Sequence, residues 1–463
     1  MNSEPPRSQG SPPPGPPEEG PFVAPGARPP WDGPASAGAR TAALHEAVRR
    51  LRQPSTIRER CAAITDVVAR GQSPHFTLQR ECLDDVAERV ATLTRSRFPT
   101  LQVPFHSRWR HFEAGGVDRK AELDAKLNGR GHAAVARSRI DLALISVLLD
   151  AGAGNRWHYR EHESGLVFAR SEGLAVASFR AFMAGRFSSE PGDPLRVDAK
   201  ALAALDARAV AEVFQVSLDN PLVGLEGRIT LLHRLAEALR AQPEVFTALG
   251  QPGHLFDALT HHRHAPDLHH HHPRPAPHHH QVRASRVLGA LLDTMSGIWP
   301  SGQALNGMAL GDVWRHPAAG GVGPDAGWVP FHKLSQWLAY SLLEPFEWAG
   351  VRVHEIDVLT GLPEYRNGGL LLDAGVIVPR DDSFTQRAMR PADGWTIEWR
   401  ALTVSLLDEL APRVRRLLAV DEAAFPLARL LEGGTWAAGR AIAAERREGA
   451  LPPVVVASDG TLF

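Results

Sequence analysis

The chain has 463 residues, of which 43% are hydrophobic, and a formal net charge of -1 at pH 7. This length provides for a large core, and the balanced charge argues against a nucleic-acid binder, which needs an excess of Lys and Arg. Cys61 and Cys82 are the only cysteines, so we expect no disulfide framework and a reducing, cytoplasmic compartment. No apolar run approaches the roughly 20 residues of a membrane span, and we expect no signal peptide.

Two segments have compositions that support no packed core. Residues 1–38 are dominated by Pro, Gly and Glu, and residues 252–283 mix His with Pro. We therefore predict a disordered tail, followed by a mainly helical catalytic domain at 39–463 with a disordered insertion. The clustered histidines of the insertion can bind metals, but structural sites need fixed geometry and usually mixed ligands. We predict no functional metal and no cofactor.

Helical periodicity dominates the rest of the chain. Apolar residues recur at steps of three and four, for example at Leu44, Val48 and Leu51 near the start of the domain. This spacing predicts helices with one face towards the core. Residues 454–456 are the only convincing strand. The sequence therefore predicts a mainly α, multi-helix globular domain with a minor C-terminal strand.

Residues 105–113 are unusually rich in aromatic and cationic side chains. They include His106, Trp109, Arg110 and His111. Arginine and histidine can hold a phosphate, and tryptophan can stack on a sugar or a base. The alternative is a scaffold segment whose charges pair locally, and composition alone leaves both interpretations open.

An apolar helix is predicted to begin near residue 329 and carries one polar stripe, which includes Lys333. A polar stripe is usual on a surface helix, but the other faces are too apolar for such a helix. Near the C-terminus, Gly434 and Thr435 precede another helix. A glycine turn at a helix start leaves free backbone N–H groups, which favour an anion such as phosphate.

Two Glu/Arg pairs are separated by about one helical hairpin. Glu364, Tyr365 and Arg366 lie in a turn closed by two glycines, and Glu398 and Arg400 begin a later helix. Charged side chains in apolar surroundings are costly unless they have an ion-pair partner or a functional role, so the two pairs are candidates for a functional site. The alternative is two structural ion pairs that hold helix ends.

Several common catalytic motifs are not found in the sequence. No glycine-rich nucleotide motif follows a strand, which argues against a Rossmann or P-loop enzyme. No Gly-x-Ser-x-Gly elbow occurs. No His-Glu-x-x-His motif or paired Cys-x-x-Cys motif occurs either, so a metal site has little support.

Residues 55–463 resemble the family of the fourth protein of the uracil-catabolism pathway of fungi and bacteria. The resemblance is carried by the blocks at 103–113, 170–178, 219–227, 329–337, 361–369 and 432–440. It implies a role in a pathway that opens the pyrimidine ring while the ring is still attached to ribose 5-phosphate. Such a pathway needs a step that cuts the bond from nitrogen to ribose and frees a urea-like fragment.

A second resemblance implies that same step. Pro-Glu-Tyr-Arg at 363–366 and Ile-Glu-Trp-Arg-Ala at 397–401 are similar to the Asp-Tyr-Arg and Glu-Ile-Arg-Ala blocks of queuosine salvage proteins. Those are all-α N-glycosidases, with a fold like helical DNA glycosylases, that hydrolyse a nucleoside monophosphate without metal. The sequence carries Glu364 where that family has Asp, and the glutamate side chain is longer.

Together these features predict an N-glycosidase with Glu364 and Glu398 as its catalytic carboxylates. Arg366 and Arg400 would hold those carboxylates ionised. The residues expected to bind the substrate are His106, Trp109, Arg110, His111, Lys333, Tyr365, Arg366, Arg400, Gly434 and Thr435. The expected partner is a small nucleotide-derived substrate rather than a nucleic acid or a membrane, and the oligomeric state is left open. A pathway scaffold and a ureido or amide hydrolase are the alternatives.

Overall fold

The computed structural model describes residues 37–260, 281–300, 302–381 and 383–457. The α-helices are α1 (Ala37–Leu51), α2 (Pro54–Ala69), α3 (Cys82–Arg97), α4 (Arg108–His111), α5 (Arg119–Leu127), α6 (His132–Leu148), α7 (Arg170–Met183), α8 (Ala199–Ala204), α9 (Ala207–Val213), α10 (Leu225–Arg240), α11 (Pro243–Phe246), α12 (Leu255–Thr260), α13 (Ala284–Met295), α14 (Lys333–Trp348), α15 (Asn367–Asp373), α16 (Ser383–Gln386), α17 (Gly394–Leu418), α18 (Leu427–Leu430) and α19 (Trp436–Arg446). The predicted mainly α fold is confirmed. Within the described part of the chain, no helix has both the length and the apolar character needed to cross a membrane.

The strands are short and pair only two at a time. They are β1 (Phe76–Leu78), β2 (His158–Arg160), β3 (Val167–Ala169), β4 (Gln281–Arg283), β5 (Gln303–Leu305), β6 (Met308–Gly311), β7 (Val313–Arg315), β8 (Trp328–Pro330), β9 (Arg352–His354), β10 (Ile377–Pro379), β11 (Ala388–Met389) and β12 (Val455–Val456). The pairs β1–β10, β2–β3, β5–β6 and β7–β8 are antiparallel, whereas β4–β9 and β11–β12 are parallel. The predicted C-terminal strand is therefore present as β12, but it is one of several.

Helix α14 runs through the centre of the core. Its residues from Lys333 to Phe346 are all buried, and it packs against α6 and α13. A helix that is apolar on almost every side is stable only where other elements cover every side. The polar residues of its predicted stripe are therefore buried as well, and each needs a polar partner.

Helix α17 forms the second long element of the core and packs against α2 and α3. Its buried positions include Leu402, Leu406 and Leu410, which confirms the inward face expected from their spacing. The short α15 lies between α17 and α19. This arrangement places the turn before α15 at the edge of the core, where polar groups can face a cavity.

The predicted boundaries of the two disordered segments are wrong at the edges that the structure describes. Helix α1 already begins at Ala37. In the insertion, Pro252–His254 is a 3-10 turn, α12 follows it, and β4 begins at Gln281. The helix α12 forms because Leu255, Phe256 and Leu259 are buried against the core. The remaining parts of both predictions, residues 1–36 and 261–280, lie outside the described residues.

Candidate active site

A cavity of about 410 Å³ opens beside the first turn of α14. Its walls come from six parts of the chain: the region of α4, the loop after α6, the start of α7, the start of α14, the turn before α15, and the region from α19 towards the C-terminus. The lining residues are His106, His111, Asp150, Ala151, Gly152, Ala153, Gly154, Asn155, Arg170, Ser171, Leu174, Lys333, Trp337, Leu362, Glu364, Tyr365, Arg366, Trp436, Leu451, Pro452 and Val455. Six of the predicted site residues therefore meet in one cavity: His106, His111, Lys333, Glu364, Tyr365 and Arg366.

The Glu364 carboxylate is held by the backbone of the turn before α15. Its two oxygens accept hydrogen bonds from the backbone N–H groups of Arg366 and Asn367, both at 2.6 Å. The side chain is only 7% exposed. Burial raises the pKa of Glu364, and the two backbone N–H groups, Lys333 and His106 oppose that rise. Each carboxylate oxygen has a second lone pair, so this buried acid can still accept a proton or a hydrogen bond from a ligand.

Lys333 is the first residue of α14 and lines the cavity together with two carboxylates, Glu364 and Asp150. Burial lowers the pKa of Lys333, while the negative charges of Glu364 and Asp150 oppose the change. The backbone N–H of Lys333 donates to the Asp312 carboxylate at 3.0 Å. The preceding residue, His332, adopts a left-handed φ of 49°. The start of α14 is thus held at its backbone, and the lysine side chain carries a positive charge into the cavity wall.

Asp150 is a second carboxylate in the cavity that the sequence did not suggest as a site residue. The Ser171 hydroxyl contacts both of its oxygens, at 2.6 and 2.7 Å, and the Arg108 guanidinium lies 3.0 Å away. Burial raises the pKa of Asp150, and Arg108 and Ser171 oppose the rise. The residue lies just after the end of α6, where its local sequence alone does not indicate a functional role.

Two tryptophans and two histidines form an aromatic wall. The His106 ring stacks on Trp337 with centroids 6.4 Å apart, and His111 meets Trp337 edge-on at 5.7 Å. Trp436 flanks both histidines at 6.5 and 6.3 Å. The His106 Nδ1 is 2.9 Å from a carboxylate oxygen of Glu432. Planar rings of this kind suit a flat ligand group such as a ureido group or a sugar face.

We expect the His111 imidazole to be neutral at physiological pH. Burial lowers its pKa well below the ordinary value, and the positive charges of Arg108 and Arg110 lower it further. A neutral imidazole has one donor nitrogen and one acceptor nitrogen. It therefore provides hydrogen bonding in the aromatic wall without adding to the positive charge there.

Glu398 does not line this cavity, so the predicted pairing with Glu364 needs correction. The Ser73 hydroxyl donates to Glu398 at 2.5 Å, and His316 Nε2 lies 3.4 Å from its other oxygen. Ser73 lies in the segment before β1, and His316 follows β7. Glu398 thus contacts these two segments rather than the cavity.

Arg400 is also outside the cavity, and its partner is not Glu398. Its guanidinium makes two hydrogen bonds to the Asp312 carboxylate, at 2.8 and 2.6 Å. The same carboxylate accepts the backbone N–H of Lys333. Arg400 therefore supports the start of α14 and acts on the site only through Asp312, which corrects its prediction as a substrate-binding residue.

Trp109 is likewise structural. Pro345 lies inside α14, and proline has no N–H to give to the carbonyl one turn earlier. That carbonyl belongs to Ser341, and it accepts the Trp109 indole N–H at 3.0 Å instead. Trp109 is fully buried against this position and does not line the cavity.

Arg110, Gly434 and Thr435 also take structural roles. Arg110 is paired with Glu344 at 2.9 Å and with Glu113 at 2.8 Å. Gly434 packs so closely on α3 that an added Cβ would lie 2.5 Å from a Val90 methyl group. Thr435 is fully buried in a π-helical turn continuous with α19. The predicted phosphate contacts at these three residues therefore need correction.

Some of the cavity residues that were not predicted lie in the sequence blocks that carry the family resemblance. Arg170 and Ser171 open the block at 170–178, Trp337 closes the block at 329–337, and Trp436 lies in the block at 432–440. Their presence in those blocks was the available signal. Among the described residues, no group of three or more His, Cys, Asp or Glu side chains is arranged to hold a metal ion, and the His-rich segment 261–280 is not described.

Comparisons with known proteins agree with the resemblance. The chain is 38% identical over 439 residues to "Uracil catabolism protein 4" of Lachancea kluyveri, an alignment that covers 88% of this chain and 97% of that protein. It is 35% identical over 426 residues to "Protein urg3" of Schizosaccharomyces pombe, covering 90% and 99% of the two chains. A family profile described as "Protein of unknown function (DUF1688)" matches residues 50–463. The chain therefore belongs to the DUF1688 family.

Proposed function

We propose that this protein acts in uracil catabolism by hydrolysing the N-ribosyl bond of a ring-opened uridine nucleotide. The substrate would be of the ribosylurea 5-phosphate type, and the products ribose 5-phosphate and a urea-like compound. The name of the Lachancea relative supports the pathway. The observation that supports the reaction is the buried Glu364 carboxylate, held by two backbone N–H groups in a cavity that also contains Lys333.

Glu364 would act at the anomeric carbon. Hydrolysis of an N-glycoside passes through an oxocarbenium-like transition state, which a nearby carboxylate stabilises. Water forms the new bond to the anomeric carbon and gives its proton to Glu364. The bond from carbon to nitrogen breaks, and its electron pair stays on the nitrogen. Because Glu364 is fixed by the backbone, little reorganisation is needed as the positive charge develops.

Lys333 would protonate the departing nitrogen. A urea-like nitrogen is a poor leaving group without a proton, and general acid catalysis typically raises the rate by ~10²–10⁴-fold. Burial lowers the pKa of Lys333, so it gives up a proton more readily than an exposed lysine. The proton that Glu364 took from water can then return to Lys333, which restores both groups. Asp150 would accept hydrogen bonds from the ribose hydroxyls.

The test is to incubate the purified protein with ribosylurea 5-phosphate and identify the products. The proposal expects stoichiometric ribose 5-phosphate and urea. Release of ammonia with the ribosyl bond intact would identify a ureido hydrolase instead. No turnover, in a protein that still binds the pathway's enzymes, would support the scaffold alternative.

The reaction should also proceed after the protein has been treated with a metal chelator. A full loss of turnover that zinc or manganese restores would contradict a metal-independent mechanism.

We expect a bell-shaped dependence of kcat/KM on pH. Glu364 must be ionised, and burial raises its pKa, so activity should fall on the acid side at a higher pH than for an ordinary glutamate. Lys333 must keep its proton, and burial lowers its pKa, so activity should fall on the alkaline side at a lower pH than for an ordinary lysine. Lys333→Arg should lower kcat/KM and abolish the alkaline limb, because the guanidinium keeps its proton over the whole range and is a poor general acid. An alkaline limb that this change leaves in place would assign the limb to another group.

A further inference from the structure

Two arginines of the cavity have no carboxylate partner among the described residues. Arg170 begins α7, and Arg366 precedes α15. Their guanidinium groups donate to backbone carbonyls: Arg170 to Gly449 at 3.1 Å and Arg366 to Ala450 at 2.9 Å. Most other arginines close to the cavity have acidic partners, as Arg108 has in Asp150. These two cations therefore have hydrogen bonds but no neutralising charge from an ion pair.

The two guanidinium groups are also close enough to repel each other. Burial lowers the pKa of Arg366; Tyr365 and Glu364 oppose this change, and the positive charges of Arg170 and Arg440 add to it. Arg366 is only 4% exposed, so little water screens this repulsion. Like charges gathered in a buried position are costly unless an anion joins them. Arg440 already pairs with Glu172 at 3.0 Å.

The carbonyls that these arginines contact belong to a segment that covers the cavity. Residues 447–456 follow α19, and Leu451, Pro452 and Val455 line the cavity wall. Ala450 adopts a left-handed φ of 51°, a conformation that is unfavourable for a residue with a Cβ. A neutral carbonyl is a weaker partner for a guanidinium group than a charged oxygen. Both guanidinium groups thus donate to neutral carbonyls, although a charged oxygen would be a stronger partner.

We propose that Arg170 and Arg366 form the subsite for the phosphomonoester of the substrate, whose oxygens replace the carbonyls of Gly449 and Ala450. Arginine suits this task because its planar group can make two parallel hydrogen bonds to a phosphate. The subsite takes the place of the phosphate contacts first expected at Arg110, Gly434 and Thr435. The identity of the ligand as a sugar phosphate rests on the proposed function, whereas the anion subsite does not.

Binding of ribose 5-phosphate and of ribose, measured by calorimetry on the full chain, tests this subsite. We expect Arg170→Gln and Arg366→Gln each to weaken the binding of ribose 5-phosphate by roughly 10- to 100-fold and to leave the binding of ribose unchanged. Arg170 is half-buried, so its variant remains informative if the Arg366 variant does not fold. Arg413→Gln, which removes an exposed ion pair with Asp84, is the matched control. Equal binding of ribose 5-phosphate by the wild type and both variants would overturn the subsite.

Hydrogen exchange tests the replacement of the carbonyls. With ribose 5-phosphate bound, the amides of residues 447–457 should exchange faster than with ribose, because the segment loses its two contacts to arginine. Unchanged or slower exchange would overturn the replacement.

The binding and cleavage experiments separate the subsite from the proposed reaction. If binding of ribose 5-phosphate depends on the two arginines but ribosylurea 5-phosphate is not cleaved, the proposed reaction alone is wrong. If ribosylurea 5-phosphate is cleaved but binding of ribose 5-phosphate does not depend on the two arginines, the subsite alone is wrong.

Discussion

Glu364→Gln is expected to lower kcat by roughly 10²–10⁴-fold. The amide keeps the size of the side chain but removes the negative charge that stabilises the oxocarbenium and accepts the proton of water. The glutamine has one acceptor oxygen for the two backbone N–H groups of Arg366 and Asn367. We therefore also expect a loss of about 1–3 kcal/mol in the free energy of unfolding. Single-turnover kinetics with ribosylurea 5-phosphate, together with urea unfolding, measure the two effects separately.

Glu398→Gln is the matched control for this prediction. It makes the same chemical change at another buried glutamate, one that contacts Ser73 and His316 outside the cavity. It should lower stability by a similar amount and leave kcat within about twofold, since surface and core changes away from the chemistry act mainly on folding. If the two variants lost activity equally, Glu364 would have no special role in the reaction.

Arg400→Met is expected to give the largest loss of stability, about 3–5 kcal/mol. The change leaves the Asp312 carboxylate buried without its guanidinium partner. Burial alone would raise the pKa of Asp312, but the two hydrogen bonds from Arg400 help to hold it well below its ordinary value. Asp312 also anchors the backbone N–H of Lys333, so the damage should reach the start of α14. Urea unfolding of the variant measures the loss directly.

A double variant provides the control for Arg400. Asp312→Asn together with Arg400→Met removes both charges, so it should recover part of the lost stability relative to Arg400→Met alone. The folded fraction of either variant should lose less kcat than Glu364→Gln, because neither side chain lines the cavity and their hydrogen bonds reach Lys333 through its backbone. A loss of kcat in fully folded Arg400→Met that exceeds the loss for Glu364→Gln would place Arg400 in the reaction itself.

The sequence predicted the half of the site that lies in contiguous motifs. Glu364, Tyr365 and Arg366 reach the cavity together because a tight turn before α15 presents consecutive side chains on one side. Lys333 reaches it because it begins a buried helix, where a charged group needs polar neighbours. These local features hold in any tertiary arrangement that keeps the turn and the helix.

The positions of the remaining residues depend on tertiary contacts, which local sequence patterns do not contain. Arg400 pairs with Asp312, which is distant in sequence, instead of with Glu398. Trp109 donates to the Ser341 carbonyl that Pro345 leaves without its helical N–H partner. Pro412 lies inside α17 without ending it, because tertiary packing can outweigh the local cost of a proline. Asp150 becomes part of the site only because the start of α7 places Ser171 against it.

The most direct test of the central claim is a crystal structure of the Glu364→Gln variant with uncleaved ribosylurea 5-phosphate. We expect the anomeric carbon to lie roughly 3–3.5 Å from the site of the attacking water beside residue 364. We also expect the ureido nitrogen to face Lys333 and the phosphate to lie between Arg170 and Arg366. A substrate bound outside this cavity, or with its anomeric carbon remote from residue 364, would contradict the account.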